Sequence, residues 1–268
     1  MELDDPLVIR AMTSPIRSVE LAADVAATIR TVHIKEGEFV KSNQVLVEFR
    51  SDVQAIATEI ARAEAESTID IESSRIRLEQ ARFELDRFEK LNRNESAANK
   101  EMINARQAFA LSKLDLKKAE FKANQADRAY MLAKTRLNLH TLHAPFDGFI
   151  AELLQHEGES IEEQQPVLTL VQIDPLEVVV DCPIDCVERI KTGQRYRVQP
   201  TDQARPSRSG TVSYLSKVAD PASQTVRIKL NVSNDDSGWL AGLRVVVDFR
   251  SELQPSETSV AEADHDVR

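Results

Sequence analysis

The chain has 268 residues, 42% hydrophobic and 29% charged, with a formal net charge of −10 and a pI near 5.1. Its basic residues are interleaved with acids, which excludes nucleic acid as a partner, because phosphate binding needs clustered Lys and Arg. No stretch reaches the roughly 20 apolar residues of a spanning helix. Met1 to Arg10 also lack the basic-then-apolar pattern of a secretory signal, so either a signal or anchor lies upstream or the protein is cytoplasmic.

Residues 1–17 form an N-terminal segment that reads only as a strand at Leu7 to Arg10. Residues 18–50 open a repeat whose second copy lies 121 positions later, with Ile29 to Phe49 matching Ile150 to Leu170. Glu36-Gly37-Glu38 falls on Glu157-Gly158-Glu159, Val40 on Ile161 and Gln44 on Gln165. Each copy reads as strand, Gly-centred turn, short strand, with Gly37 and Gly158 supplying positive φ. One copy is too small to bury its apolar face, so the two are expected to pack into one sandwich.

Between the copies, residues 51–140 contain neither Gly nor Pro until the chain has passed Leu139, and Ala, Glu, Arg, Lys and Leu dominate. A seam of alternating three- and four-residue steps runs through Met102, Ala105, Phe109, Ser112, Leu116, Ala119, Ala123, Ala126, Tyr130, Ala133 and Leu137. A first-half seam runs Val53, Ile56, Ile60, Ala63, Ser67, Ile71, Ser74, Leu78, Ala81, Leu85 and Phe88. Its extra four-residue step from Ser67 to Ile71 is a stutter, expected to unwind the supercoil locally. The polar run Asn92 to Asn99 marks a tip, leaving two antiparallel helices of about 40 residues, each extending ~60 Å. Both must leave one β-domain at neighbouring points and hold the tip far from it.

Residues 141–173 complete the sandwich. Residues 174–250 switch to short strands at 176–181, 195–199, 210–215, 225–231 and 243–249, expected to form a small β-barrel. Ile184 to Lys191 reads as a short helix with Gly193 as its C-cap. The polar tail 251–268 is expected to be disordered. The fold class is therefore α+β and elongated: a lipoyl-like β-sandwich split by a long antiparallel α-helical coiled-coil hairpin and followed by a β-barrel.

Catalytic signals are weak throughout. Cys182 and Cys186 have no second pair with which to build a zinc site, and read as unconnected thiols. Among His33, His140, His143, His156 and His265, only His140 and His143 are three apart, and no third ligand accompanies them. The acid pairs on the helices are solvated faces, and no phosphate loop or nucleophile elbow appears. A lipoyl or biotinyl carrier needs a modifiable Lys on the turn joining its halves, and here helices fill that join. Neither an enzyme nor a cofactor is expected.

Val32-His-Ile-Lys-Glu-Gly-Glu-Phe-Val-Lys41, Leu142-His-Ala-Pro-Phe-Asp-Gly-Phe-Ile150 and Val218-Ala-Asp-Pro-Ala-Ser-Gln-Thr-Val226 resemble the membrane fusion protein family, the periplasmic adaptor subunits or HlyD-like secretion proteins. The resemblance covers about residues 18–250. It implies a periplasmic adaptor associated with the inner membrane, assembled as a homo-oligomeric ring. Such a ring bridges an inner-membrane transporter of RND or ABC type to a TolC-like outer-membrane channel during export of small molecules. It also implies a channel-binding tip with an Arg, a Leu four residues on and a Ser seven beyond that. Arg87 and Leu91 fit the first two places. The third falls on Ala98, with Asn99 beside it and Ser96 two before, so the Ser is missing unless the loop is shifted by a residue or two. Asn92 and Arg93 complete the candidate tip surface. The chain also ends too soon after Phe249 for a full membrane-proximal domain, which shifts expected pump contact to the barrel and lipoyl parts. A cytoplasmic coiled-coil scaffold is the alternative, but it gives no reason for a β-repeat split around a hairpin.

Overall fold

The computed structural model describes residues 7–91, 98–202, 205–250 and 252–253. The first repeat copy supplies β2 (Ala27–Val32), β3 (Phe39–Val40) and β4 (Val45–Phe49). The second supplies β6 (Gly148–Leu153), β7 (Ser160–Ile161) and the start of β8 (Pro166–Pro183). The copies hold each other through paired contacts. Gly37 N–H donates to the Ile150 carbonyl at 2.8 Å, and Gly158 N–H donates to the Ile29 carbonyl at 3.0 Å. The Glu36 carboxylate accepts Leu153 N–H at 2.9 Å, and Glu157 accepts Val32 N–H at 2.8 Å. Each bond is the twin of another across the same 121-residue offset, so the unit has an internal two-fold.

The positive φ expected at the two glycines is present, 79° at Gly37 and 88° at Gly158. A second turn repeats as faithfully. Gln44 and Gln165 accept the Lys41 and Glu162 amides through their side-chain oxygens at 3.0 and 2.9 Å. The same turn occurs a third time, where the Gln194 side chain accepts Lys191 N–H at 2.6 Å. Gly193 serves that turn with φ of 92°. It does not cap the helix, because α4 (Ile184–Val187) has already ended.

Ile29, Val40, Leu46, Val47, Phe49, Ile150 and Leu170 are buried in one core. That core lies between two sheets. One runs in the order β5-β4-β2-β7, with β5 at Thr141–His143. The other is built from β3, β6, β8 and β1 (Val8–Ala22).

A second core lies inside a closed circuit of strands. β9 (Arg195–Pro200), β10 (Arg208–Asp220), β11 (Thr225–Val232) and β12 (Arg244–Asp248) pair in the order β1-β12-β9-β10-β11-β8, and β8 pairs back to β1. Leu176, Val178, Val180 and Cys182 alternate along β8 and are fully buried, as a strand with one face inward requires. Cys182 is fully buried in this core. Asn234 is also fully buried. Its side-chain amide donates to the Ile173 and Trp239 carbonyls, and its Oδ1 accepts Trp239 N–H at 3.0 Å.

β1 is far longer than the four residues expected of the N-terminal segment. It pairs with β8 twice, through Met12–Pro15 against Leu176–Val179 and through Arg17–Ala22 against Pro166–Gln172, with a register shift between Pro15 and Arg17. The boundaries expected at 17/18 and 173/174 therefore fall inside two continuous strands. A two-stranded ribbon, not a loose linker, joins the two cores.

Gly148 sits where a Cβ would meet the Val171 carbonyl oxygen at 2.4 Å. Gly148→Ala is expected to lower stability by about 1–3 kcal/mol in urea denaturation, because backbone must shift to admit the methyl.

Candidate functional site

The helical arm leaves the β-unit at one point. β4 runs into α1 (Asp52–Ala65), and α3 (Ala98–Asn138) runs into β5. β4 and β5 pair antiparallel, with Val45 opposite His143 and Glu48 opposite Thr141. Phe49 N–H donates to the His140 carbonyl at 2.9 Å, closing the ladder at the base of the arm. Arg30 hydrogen-bonds Asp52 in the first turn of α1 and holds that carboxyl below the usual range. His140 is buried, with Nδ1 3.1 Å from the Arg136 carbonyl, and His143 directs Nδ1 to the Thr141 carbonyl at 3.2 Å. Both rings point to local backbone. Among the described residues, no group of three His, Cys, Asp or Glu is arranged to hold a metal.

α1 and α2 (Ile69–Leu91) both pack along α3. Two ion pairs give the direction: Asp70 meets Lys122 at 2.8 Å and Glu89 meets Arg106 at 3.2 Å, so the arms run antiparallel. The Asp70–Lys122 hydrogen bond lowers the pKa of Asp70 and raises that of Lys122. All four groups are largely exposed, so these pairs mark register more than they stabilise. The α3 seam lies where its periodicity places it, every position from Met102 to Leu137 being buried or half-buried. The α2 seam through Ile71, Ser74, Leu78, Ala81, Leu85 and Phe88 does the same.

The α1 seam does not. Val53, Ile56 and Ile60 are 75%, 63% and 58% exposed, while Gln54, Thr58, Ala61 and Ala65 are covered. Close approach to α3 selects small side chains on both helices. Thr58 can be buried because its hydroxyl donates to the Gln54 carbonyl at 2.7 Å. The first arm is also not one continuous helix. It leaves helical geometry at Glu66–Thr68, where the stutter lies. Ser67 and Thr68 favour local side-chain bonds over helix interior. Thr68 restarts the helix, its carbonyl accepting Glu72 N–H at 2.9 Å and its hydroxyl donating to the Glu72 carboxylate at 2.8 Å. A cavity of about 320 Å³ opens beside the break, lined by Ser67, Ile71, Ala119, Ala123 and Ala126 among others.

Arg87 is exposed near the end of α2. Leu91 closes α2, and Ala98 and Asn99 begin α3. Asn92, Arg93 and Ser96 lie outside the described residues. Sequence reasoning passed over large apolar side chains on the arm's outer faces. Ile69, Ile76 and Phe83 are exposed on α2, as are Leu111, Leu114 and Phe121 on α3. Their seven-residue spacing, from 69 to 76 to 83 and from 114 to 121, was the available signal.

A two-fold β-unit with helices inserted between its halves is a fold already known among solved structures. MacA from Actinobacillus actinomycetemcomitans matches it with a TM-score of 0.77 at 16% identity, over 92% of this chain and 79% of that one. The chain belongs to the CzcB-like, barrel-sandwich hybrid family within the membrane fusion proteins, the family model matching residues 17–172. The cobalt-zinc-cadmium resistance protein CzcB of Cupriavidus metallidurans is 25% identical over 252 residues, covering 94% of this chain and 46% of that protein. The nodulation protein NolF of Rhizobium meliloti is 28% identical, covering 90% of this chain and 62% of that protein. The chain thus spans about half to two thirds of the length of these relatives. No helix among the described residues is long and apolar enough to cross a membrane.

Two substitutions separate the observed seam from the expected one. Ala61→Leu is expected to cost about 1–3 kcal/mol by overpacking the close contact of α1 with α3, whereas Ile56→Gln stays within roughly 0.5 kcal/mol. Thermal melts of the two variants followed by circular dichroism check the contrast.

Proposed function

We propose that this chain is the adaptor of a tripartite exporter, working in the periplasm beside the inner membrane. In this reading α1, α2 and α3 form a coiled-coil hairpin, and the six-strand circuit is the small β-barrel. The β-parts engage an inner-membrane transporter of RND or ABC type, and the tip engages a TolC-like outer-membrane channel. Copies of the chain assemble as a homo-oligomeric ring. The chain acts by holding partners in place, with no reaction of its own and no cofactor.

One observation carries the reading. Both ends of the arm are pegged to paired strands β4 and β5, while α3 runs unbroken for 41 residues, about 60 Å. A catalytic cleft has no use for such a projection, whereas a spacer between separated partners does. The names of curated relatives, a cation efflux system protein and a multidrug resistance protein among them, fit export of small solutes.

In the tip reading, Arg87 offers a planar fork to carbonyls or carboxylates of the channel, and Leu91 supplies apolar contact. Asn92, Arg93, Ser96, Ala98 and Asn99 complete the docking surface. The Ser that is missing at Ala98 is then replaced by the amide of Asn99 or, with the loop shifted, by the hydroxyl of Ser96. Leu91→Asp places an unpaired carboxylate in that contact, a cost above about 1.4 kcal/mol. Export in the native host, read as susceptibility to toxic solutes, is expected to fall roughly tenfold or more. The circular dichroism spectrum should be unchanged. Normal export by a well-expressed Leu91→Asp variant would count against tip docking.

A further inference from the structure

We infer that the outer faces of the two arms are complementary halves of one contact, in which α2 of one copy lies beside α3 of the next at the same height. The inference rests on the ring reading above and specifies which surfaces meet.

The first observation is apolar. Helices that face water carry polar residues away from their seam. Here Ile69, Ile76 and Phe83 recur every seven residues on the side of α2 away from α3, at 73%, 65% and 72% exposure. On α3, Leu111, Leu114 and Phe121 occupy the corresponding outer side and are equally open. An apolar row of this kind is unfavourable in water unless another surface covers it.

The second observation is charge. On the outer side of α2, Glu72, Glu79 and Asp86 each stand three residues after an apolar member of the row, and basic residues, Arg87 and Lys90, enter that side only beyond Phe83. On the outer side of α3 the charged residues are Lys100, Lys117, Lys118 and Arg128. The acids of α3, namely Glu101, Asp115, Glu120 and Asp127, take the heptad positions flanking the seam instead. One face is therefore apolar with an acidic row, and the other apolar with basic residues. Like faces repel and unlike faces attract, which selects a head-to-tail contact that can propagate around a ring.

The third observation is height. The Asp70–Lys122 and Glu89–Arg106 pairs peg levels along the arm. Counting helical rise from them, Ile69 lies within a turn of Phe121, Ile76 within a turn of Leu114, and Phe83 level with Leu111. Two copies standing side by side without vertical offset thus bring apolar rows together at three successive levels.

Phe83 and Leu111 lie on opposite faces of one arm, too far apart for a disulfide within a chain, whose Cα atoms must come within about 7 Å. The test uses the full chain with Cys186→Ser, Cys182 being buried. Phe83→Cys and Leu111→Cys together should give, on mild oxidation, a ladder of covalent oligomers, and each alone should give almost none. Self-crosslinking of either single variant, or oligomers without the ladder, would overturn this pairing while leaving assembly intact. A monomer at every concentration in sedimentation would overturn the ring reading together with the inference. As a second arm, Lys117→Glu with Lys118→Glu should weaken association roughly tenfold, and Glu72→Lys with Glu79→Lys should restore it. No weakening, or weakening without rescue, would count against the charge pairing.

Discussion

The pairing of two β-halves across an internal two-fold governs this molecule. Gly37 bonds Ile150 while Gly158 bonds Ile29, and Glu36 and Glu157 reach across in the same reciprocal way. Neither half has enough strands to bury its apolar face alone. Because the halves are separated in sequence by α1, α2 and α3, their pairing brings the two ends of that insertion together. The Phe49–His140 bond and the β4–β5 ladder record the result. A projecting arm follows from chain connectivity once the halves have closed.

The ribbon of β1 and β8 adds a second constraint. Strands of 15 and 18 residues pass from one core into the other while paired to each other. Orientation of the two cores is thereby set by backbone hydrogen bonds, with Asn234 fastening the loop before Trp239 to the carbonyl of Ile173.

The repeat was legible because the turns need particular chemistry: positive φ at Gly37 and Gly158, and a Gln side chain closing the turns at Gln44 and Gln165. The α3 seam was legible because its three-four periodicity is unbroken over its whole length. The α1 face was not, and the reason is physical. Pattern reading sends the largest apolar residues inward, so Val53, Ile56 and Ile60 were assigned to the seam. An interface of close helices instead takes small residues, and Thr58, Ala61 and Ala65 carry too little hydrophobicity to announce themselves. The stutter at Ser67 signalled irregularity, but not that Thr68 would start a new helix. β1 was missed because Arg10, Arg17, Ser18 and Glu20 interrupt its apolar alternation, and its partner β8 lies more than 140 residues away. The tip drew its residues from family resemblance, and most of its surface lies outside the described residues.

The proposed role of the arm as a spacer between membranes is tested most directly by site-specific photocrosslinking in the native host from positions 91 and 99. Adducts with an outer-membrane channel, formed from both positions and lost when the channel is deleted, are the expected result. Adducts confined to cytoplasmic proteins would contradict the adaptor assignment and leave the arm with a different partner.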